Sequence, residues 1–417
     1  MNESRRPRLP GLRLGIAALG ALAVLAACTE EPLSLGSEQV PGAGTRTTDV
    51  TVSVVDLGTW RDTTLTGFAL PSGAPFVVVS NGPSVASHAF ARFNVPDTIR
   101  TLADTLPVDR FEEVELFVRF DTTQSRFGGF PLTLRLLALE QPFDPDSATW
   151  LRASPGLPWT TPGGDLGVEI ASGVLEAVSD TIVMSPSVAE DSLMKAWQDE
   201  DGGNGFALVV EGPETDLRVT RIILRYDPTL VGRTRPVPQV QQWDERTFVL
   251  DPPLPPTSTD LRVGGLPASR IYLEFAPPTS LGGVSLDGAT ISQAEVILYP
   301  LPPPEPYAAE RPIEARRVSL LGDPFVRGAK TPIGSGDLQG TRLDPDLLSD
   351  GLPVRMNITF FMAQAVRDSV SRIRFAVRGD PDAQALGYWE FGSAESPPEF
   401  QPRLRVVFSP APDFGVP

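Results

Sequence analysis

Residues 111–120 read FEEVELFVRF, with Val114, Leu116, Val118 and Phe120 on one face and Glu113, Glu115 and Arg119 on the other. A two-residue period of this kind specifies a strand buried on one side only, because a slip of one residue would turn its whole apolar set to water. Similar segments recur at short intervals: VTVSVV (50–55), FVVVS (76–80), SHAFARF (87–93) and PLTLRLLAL (131–139). The chain carries 44 prolines and 37 glycines, which in a polar sequence would point to disorder, but 41% of its residues are hydrophobic and 21 are Phe. Short strands joined by tight turns reconcile the two, so an all-β chain is predicted.

The second half repeats the first. SHAFARF from Ser87 matches SRIYLEF from Ser269, and RIILRYDP from Arg221 matches RLRVVFSP from Arg403, both 182 residues apart. Between them VELFVRF from Val114 aligns with AEVILYP from Ala294, and FALVVEG from Phe206 parallels FAVRGDP from Phe375. Order and spacing are kept, which predicts a tandem duplication. Each unit should hold an early strand pair, a central region, one short helix and two closing strands. In unit one the helix is predicted over SPSVAEDSLMKAWQ, with Ser185 as N-cap, Pro186 in the first turn, and Ala189, Leu193, Ala196 and Trp197 on the buried face. Gly202 and Gly203 should end it. The proline-rich stretch between the units reads as a semi-rigid spacer, with TFVL (247–250) as the first strand of unit two.

The N-terminus has a different design. Arg5, Arg6, Arg8 and Arg13 precede the apolar run IAALGALAVLAA, which ends at Cys28, the only cysteine in 417 residues. A run of about a dozen residues falls short of the roughly 20 that a membrane-spanning helix needs. Basic head, short apolar run and small residues are the layout of an export signal. Leu25-Ala26-Ala27-Cys28 is similar to the bacterial lipoprotein box, which implies that Cys28 carries acyl chains and becomes the mature N-terminus. Thr29 is not the aspartate that tends to retain such proteins in the inner membrane, so an outer-membrane lipoprotein is expected, facing the periplasm or the surface. The expected boundaries are a signal peptide at 1–27, a flexible tether at 28–48, a first β domain at 49–228, a linker at 229–245, a second β domain at 246–410 and a tail at 411–417. Removing residues 1–27 takes the net charge from −17 to −20. Such a surface repels nucleic acid and anionic headgroups, so membrane contact is expected only through the acyl chains. With Cys28 lipidated no thiol remains for a disulfide, and packing alone must hold the fold.

Unit one contains SATWLRASPGLPWTTPGGD (147–165), which places Thr149-Trp150, Trp159 and Gly163-Gly164-Asp165 in one loop. Together with the AEVILY-type strand, the Trp-bearing helix and the closing PRLRVVF strand, it resembles the DNRLRE type of domain. These are secreted β-sandwich modules allied to disaggregatase-related domains and regarded as carbohydrate-binding. The resemblance spans 87–228 and 269–410, and it implies two tandem jelly-roll-like sandwiches. The corresponding stretch of unit two, DPFVRGAKTPIGSGD (323–337), has no tryptophan, and neither copy contains the string that names the family.

Catalytic chemistry is limited by inventory. His88 is the only histidine, and alternation puts it on an outward face with Phe90 and Arg92, where unit two has Arg270. There is no thiolate nucleophile, no GxSxG elbow and no His/Cys zinc cluster. Asp144, Asp146 and Asp165 are the candidates for a glycosidase pair, although solvated loop charges explain them as well. QDEDGGNG (198–205) could offer oxygens to calcium but lacks the regular ligand spacing, and it reads as a helix-ending turn. No enzyme activity, metal or cofactor is therefore expected. Sugar faces stack on aromatic rings while polar neighbours bond the hydroxyls, and Trp150, Arg152, Trp159 and Asp165 offer that combination; the competing reading buries both tryptophans in the core. The expected function is a lipid-anchored binder of polysaccharide or another surface polymer, and the alternative is a structural or assembly lipoprotein that binds protein partners.

Overall fold

The computed structural model describes residues 46–411 apart from 103, 199–202, 234, 253–258, 302–312, 319–322, 324, 326–332, 338–350 and 380–385. The signal peptide, Cys28, nearly all of the tether and the tail beyond 411 lie outside the described residues. So do the acidic centre of QDEDGGNG and most of 323–337.

The chain is mostly strand, as the alternation predicts, and it builds two β bodies with separate apolar cores. Body one contains β3 (Val77–Asn81), β4 (Ala86–Arg92), β5 (Thr105–Phe120), β6 (Leu132–Leu139), β7 (Leu166–Leu175), β8 (Thr181–Pro186), β9 (Phe206–Glu211) and β10 (Thr215–Leu230). Their pairings run β3–β4–β9–β6–β7–β8–β5–β10 and return to β3, every pair antiparallel, so the eight strands form a closed circuit. Within it lie the residues that alternation assigned inward: Ala89, Ala91 and Phe93 on and after β4, and Val114, Leu116, Val118 and Phe120 on β5.

Among the described residues body two repeats these pairings except the one equivalent to β7–β8, so its strands form two sheets rather than a closed circuit. It holds β13 (Leu261–Gly264), β14 (Ser269–Phe275), β15 (Thr290–Leu298), β16 (Ile313–Val318), β17 (Ile333–Asp337), β18 (Val354–Asn357), β19 (Ile373–Gly379), β20 (Tyr388–Phe391) and β21 (Arg403–Ser409). Two of the matched segment pairs share one register residue by residue. Phe206 faces Ala91 and Phe375 faces Leu273, while Ala207 faces Phe90 and Ala376 faces Tyr272. The third match slips by two: Ile222 pairs with Val118 and Leu404 with Val296, an offset that leaves every side chain on its face. The 16-residue β10 serves both sides of body one, whereas body two divides that task between β20 and β21. The two cores also touch, since Leu266 and Tyr388 join the cluster of body one.

Strand pairing departs from the boundaries read from sequence. β1 (Thr48–Ser53) and β2 (Arg61–Thr66), expected in the first domain, pair with β21 and β14 of body two. β11 (Gln239–Gln242) lies inside the expected spacer and pairs with β10, and β12 (Glu245–Asp251), read as the opening strand of unit two, runs along β4 of body one. Local alternation identifies a strand without naming the edge it will complete.

Among the described residues, the helices α1 (Glu190–Ala196) and α2 (Thr359–Arg367) each pack near the core of one body. Helix α1 begins later than predicted. Ser185 and Pro186 finish β8, because Ile182 and Met184 are buried there against β5, and Ala189 takes the N-cap position. Leu193, Met194 and Trp197 form its buried face, while Ala189 and Ala196 stay exposed. The Asp191 carboxylate, in the first turn, accepts a hydrogen bond from the Phe111 amide at 3.0 Å and so ties the helix to β5. The Trp197 ring lies tilted 5.2 Å from Phe93 and 5.8 Å from Phe206.

Candidate functional site

The loop predicted to bind sugar packs over a sheet face. Phe90 points outward from β4, as alternation requires, yet it is fully buried, because residues 141–165 fold over it. Trp159, 6% exposed, meets the Phe90 ring edge-on at 5.4 Å and donates its indole N–H to the Thr149 carbonyl at 2.9 Å. With Phe143, Leu139, Ala153, Ala207 and Val249 these rings form a small outer core. Trp150 is half-buried and lies 4.8 Å from the His88 imidazole, whose Nδ1 donates to the Gly163 carbonyl at 2.7 Å. Burial lowers the pKa of His88, and that hydrogen bond only partly opposes the effect. Gly163 and Gly164 hold φ near +90° and +111°, and a Cβ on Gly164 would come within 3.0 Å of the Phe90 ring.

Asp165 is the anchor of this loop. Its carboxylate accepts from the Thr160 amide at 3.1 Å, the Thr161 amide at 2.8 Å and the Gln141 side-chain amide at 2.8 Å. Desolvation works to raise its pKa, but the Thr160 and Thr161 backbone amides together with the Thr160 side chain outweigh it and hold the carboxyl below its ordinary value. Arg152 is exposed and pairs through its backbone with Thr149. Of the four predicted ligand residues, then, Trp159 and Asp165 are spent on packing and loop geometry, Trp150 is half-covered, and Arg152 alone is open. Asp144 caps its own turn by accepting from Ser147 and from the Asp146 amide, while Asp146 accepts from Ser72 at 2.6 Å. No three His, Cys, Asp or Glu side chains group into a metal site among the described residues.

The equivalent face of body two is only partly covered from outside and borders a cleft. β14 there presents Arg270, Tyr272 and Glu274 where β4 has His88, Phe90 and Arg92. Phe68 and Leu65 cover Tyr272, but beyond Tyr272 a cleft of about 450 Å³ lies between Gly58-Thr59-Trp60-Arg61 and Ala276, Ser371 and Arg372. Glu274 forms its floor with a side chain only 2% exposed. Three guanidinium groups converge on that carboxylate: Arg372 at 2.7 Å and Arg61 at 3.4 Å on Oε1, and Arg374 on Oε2. Arg374 also reaches Asp323 at 3.4 Å, and Arg61 lies 3.8 Å over the Phe325 ring. Among the described residues that line the cleft, the charged ones are Arg61, Arg372 and Glu274, in a chain of net charge −17. Arg61 and Arg372 are about half exposed, and each commits one nitrogen to Glu274. The remaining N–H groups of a guanidinium fork suit a carboxylate, sulfate or phosphate. Trp60 forms one wall, stacked 5.6 Å from Phe275, with its N–H donated to Asp62 at 2.8 Å.

Sequence reasoning missed this cleft because Arg61, Glu274 and Arg372 lie far apart in the chain. One local signal was available: in SRIRF (371–375) Ile373 and Phe375 face the core, so Arg372 and Arg374 share the outer face. No protein-family model matches the chain, and no curated protein matches its sequence. No helix among the described residues is long and apolar enough to cross a membrane.

Proposed function

We propose that the chain is a lipid-anchored protein of the cell envelope that binds an anionic surface polysaccharide without catalysis, through the arginine cleft of body two. Support for the anchor is the arrangement of Arg5 to Cys28, and Thr29 favours the outer membrane. Shared connectivity and a common strand register in the two halves favour reading each body as a jelly-roll-like sandwich of the DNRLRE kind. The binding proposal rests on one observation: half-exposed arginines, pinned by a buried carboxylate, line an open cleft on a strongly acidic protein. Pinning removes side-chain entropy before the ligand arrives, and the local positive sign selects anionic sugars against neutral ones.

The test is an array of polysaccharides, neutral and uronate- or sulfate-bearing, probed with the lipid-free mature protein and with Arg372→Gln. Retention of the anionic members, weakened several-fold by Arg372→Gln and by added salt, supports the proposal. Equal retention by the variant would overturn it. A second reading, a structural or assembly lipoprotein, is favoured by the burial of Trp159 and Asp165; failure of every glycan on the array, with the fold intact by circular dichroism, would leave that reading in place.

A further inference from the structure

We infer that the chain closes on itself by reciprocal strand exchange, and that a code of charge and volume along β4 and β14 decides which strand each edge accepts. β2 and β12 occupy equivalent edges. Ser87 pairs with Leu250 and Ser269 with Thr66, Arg92 with Glu245 and Glu274 with Arg61, so the two interfaces share one register throughout. Yet β1 and β2 precede body one in the chain and complete body two, while β11 and β12 precede body two and complete body one.

Charge distinguishes the two edges. Arg92 on β4 meets Glu245 of β12 at 2.9 Å, whereas the equivalent Glu274 on β14 meets Arg61 of β2 at 3.4 Å, with the signs reversed. Were each pair to add to the body that follows it, Arg61 would oppose Arg92 and Glu245 would oppose Glu274. Arg92 and Glu274 are 13% and 2% exposed, so water would screen neither repulsion well.

Volume carries the same message. Inward from β4 the small Ala89 faces Phe248, and inward from β14 the large Ile271 faces Thr64. The unexchanged arrangement would set Ala89 beside Thr64, leaving a void, and Ile271 beside Phe248, overfilling the core. Two independent features therefore reject the same alternative. The occupant of the β14 edge is thus the chain's own residues 61–66, and the segment next to the N-terminal tether is stitched into the distal body. The two bodies remain joined even without the peptide between them.

A protease site placed within 253–258 of the otherwise intact mature chain tests this. After cleavage, β2 and β14 lie on different fragments, while β4 and β12 lie on one. The fragments should stay together one to one in native mass spectrometry. Arg61→Glu should raise their dissociation constant about tenfold or more, Arg61→Gln less, and Glu245→Arg should leave it unchanged. An unexchanged fold makes the opposite assignment, because Glu245 would then span the cut. Fragments that part on cleavage, an effect of Glu245→Arg equal to or above that of Arg61→Glu, or equal effects of Arg61→Glu and Arg61→Gln would each overturn the inference.

Discussion

The outer faces of β4 and β14 hold equivalent positions in the two bodies and are covered by different means. In body one a loop from within the unit, residues 141–165, folds its own aromatics over Phe90 and closes the face. In body two the cover arrives from the far end of the chain, with Leu65 and Phe68 over Tyr272 and the half-exposed Arg61 over the buried Glu274, beside an open cleft. A large apolar side chain on an outward strand position must be covered by something, and the kind of cover decides whether polar groups beside it stay reachable. Body one is thereby closed and packed, while body two keeps a charged cleft.

That contrast is most sharply tested by Trp159→Ala. The variant removes the centre of the outer core of body one and should destabilise that body by about 3–5 kcal/mol, read as a lowered melting transition. Retention of anionic polysaccharide should not change, since the cleft belongs to the other body. Loss of retention in a folded variant would move the site back to the tryptophan loop. Next in size is Glu274→Gln, which leaves three guanidinium groups facing a neutral amide and should lower the stability of body two by about 2–4 kcal/mol. Its counterpart Glu245→Gln, at a carboxylate 47% exposed, should cost about 1 kcal/mol or less in chemical denaturation. Similar losses for the two would mean that the cleft floor is not a buried charge centre.

These effects bear on what the sequence could and could not announce. Strand alternation is a local property, so the inward sets around Ala89 and Val114 and the outward position of His88 were legible, as was the register of FALVVEG against FAVRGDP. The partner of a strand edge is not local. Nothing in TWRDTTLT states that it will lie against Glu274, because that choice depends on side chains about 200 residues away. The tryptophan loop was located correctly as a distinct feature, but its residue types fit a sugar platform and a sheet cover equally well. Phe90, apolar on an outward face, was the available hint that a cover was needed.

Smaller than the loss at Glu274 is that of Gly164→Ala. A side chain there meets both the φ of +111° and the Phe90 ring at 3.0 Å, and about 1–3 kcal/mol of stability should be lost, visible as faster proteolysis of residues 141–165. Acid acts on the same loop through Asp165. Its carboxyl titrates below its ordinary value in the folded state, so the stabilisation is present above the unfolded value near 3.8 and disappears as pH falls through the folded one. Asp165→Asn should flatten that acid limb.

The mildest effect, and the one confined most cleanly to a single body, belongs to His88. It is the only histidine in the chain, and its equivalent in body two is Arg270, which keeps its charge across the whole accessible range. Burial lowers the pKa of His88 from 6.5, so the unfolded chain takes up a proton at a pH where the folded chain still declines it. Protonation therefore favours unfolding, and the stability of body one should fall as pH drops below about 6.5 and level off once the folded value is passed. Body two should show no such slope in this window. Calorimetry between pH 7.5 and 5 would reveal the difference as two transitions drawing apart, and His88→Gln should hold them parallel. A slope that survives the substitution would place the titrating group elsewhere and remove the electrostatic difference between the two outer faces at this position.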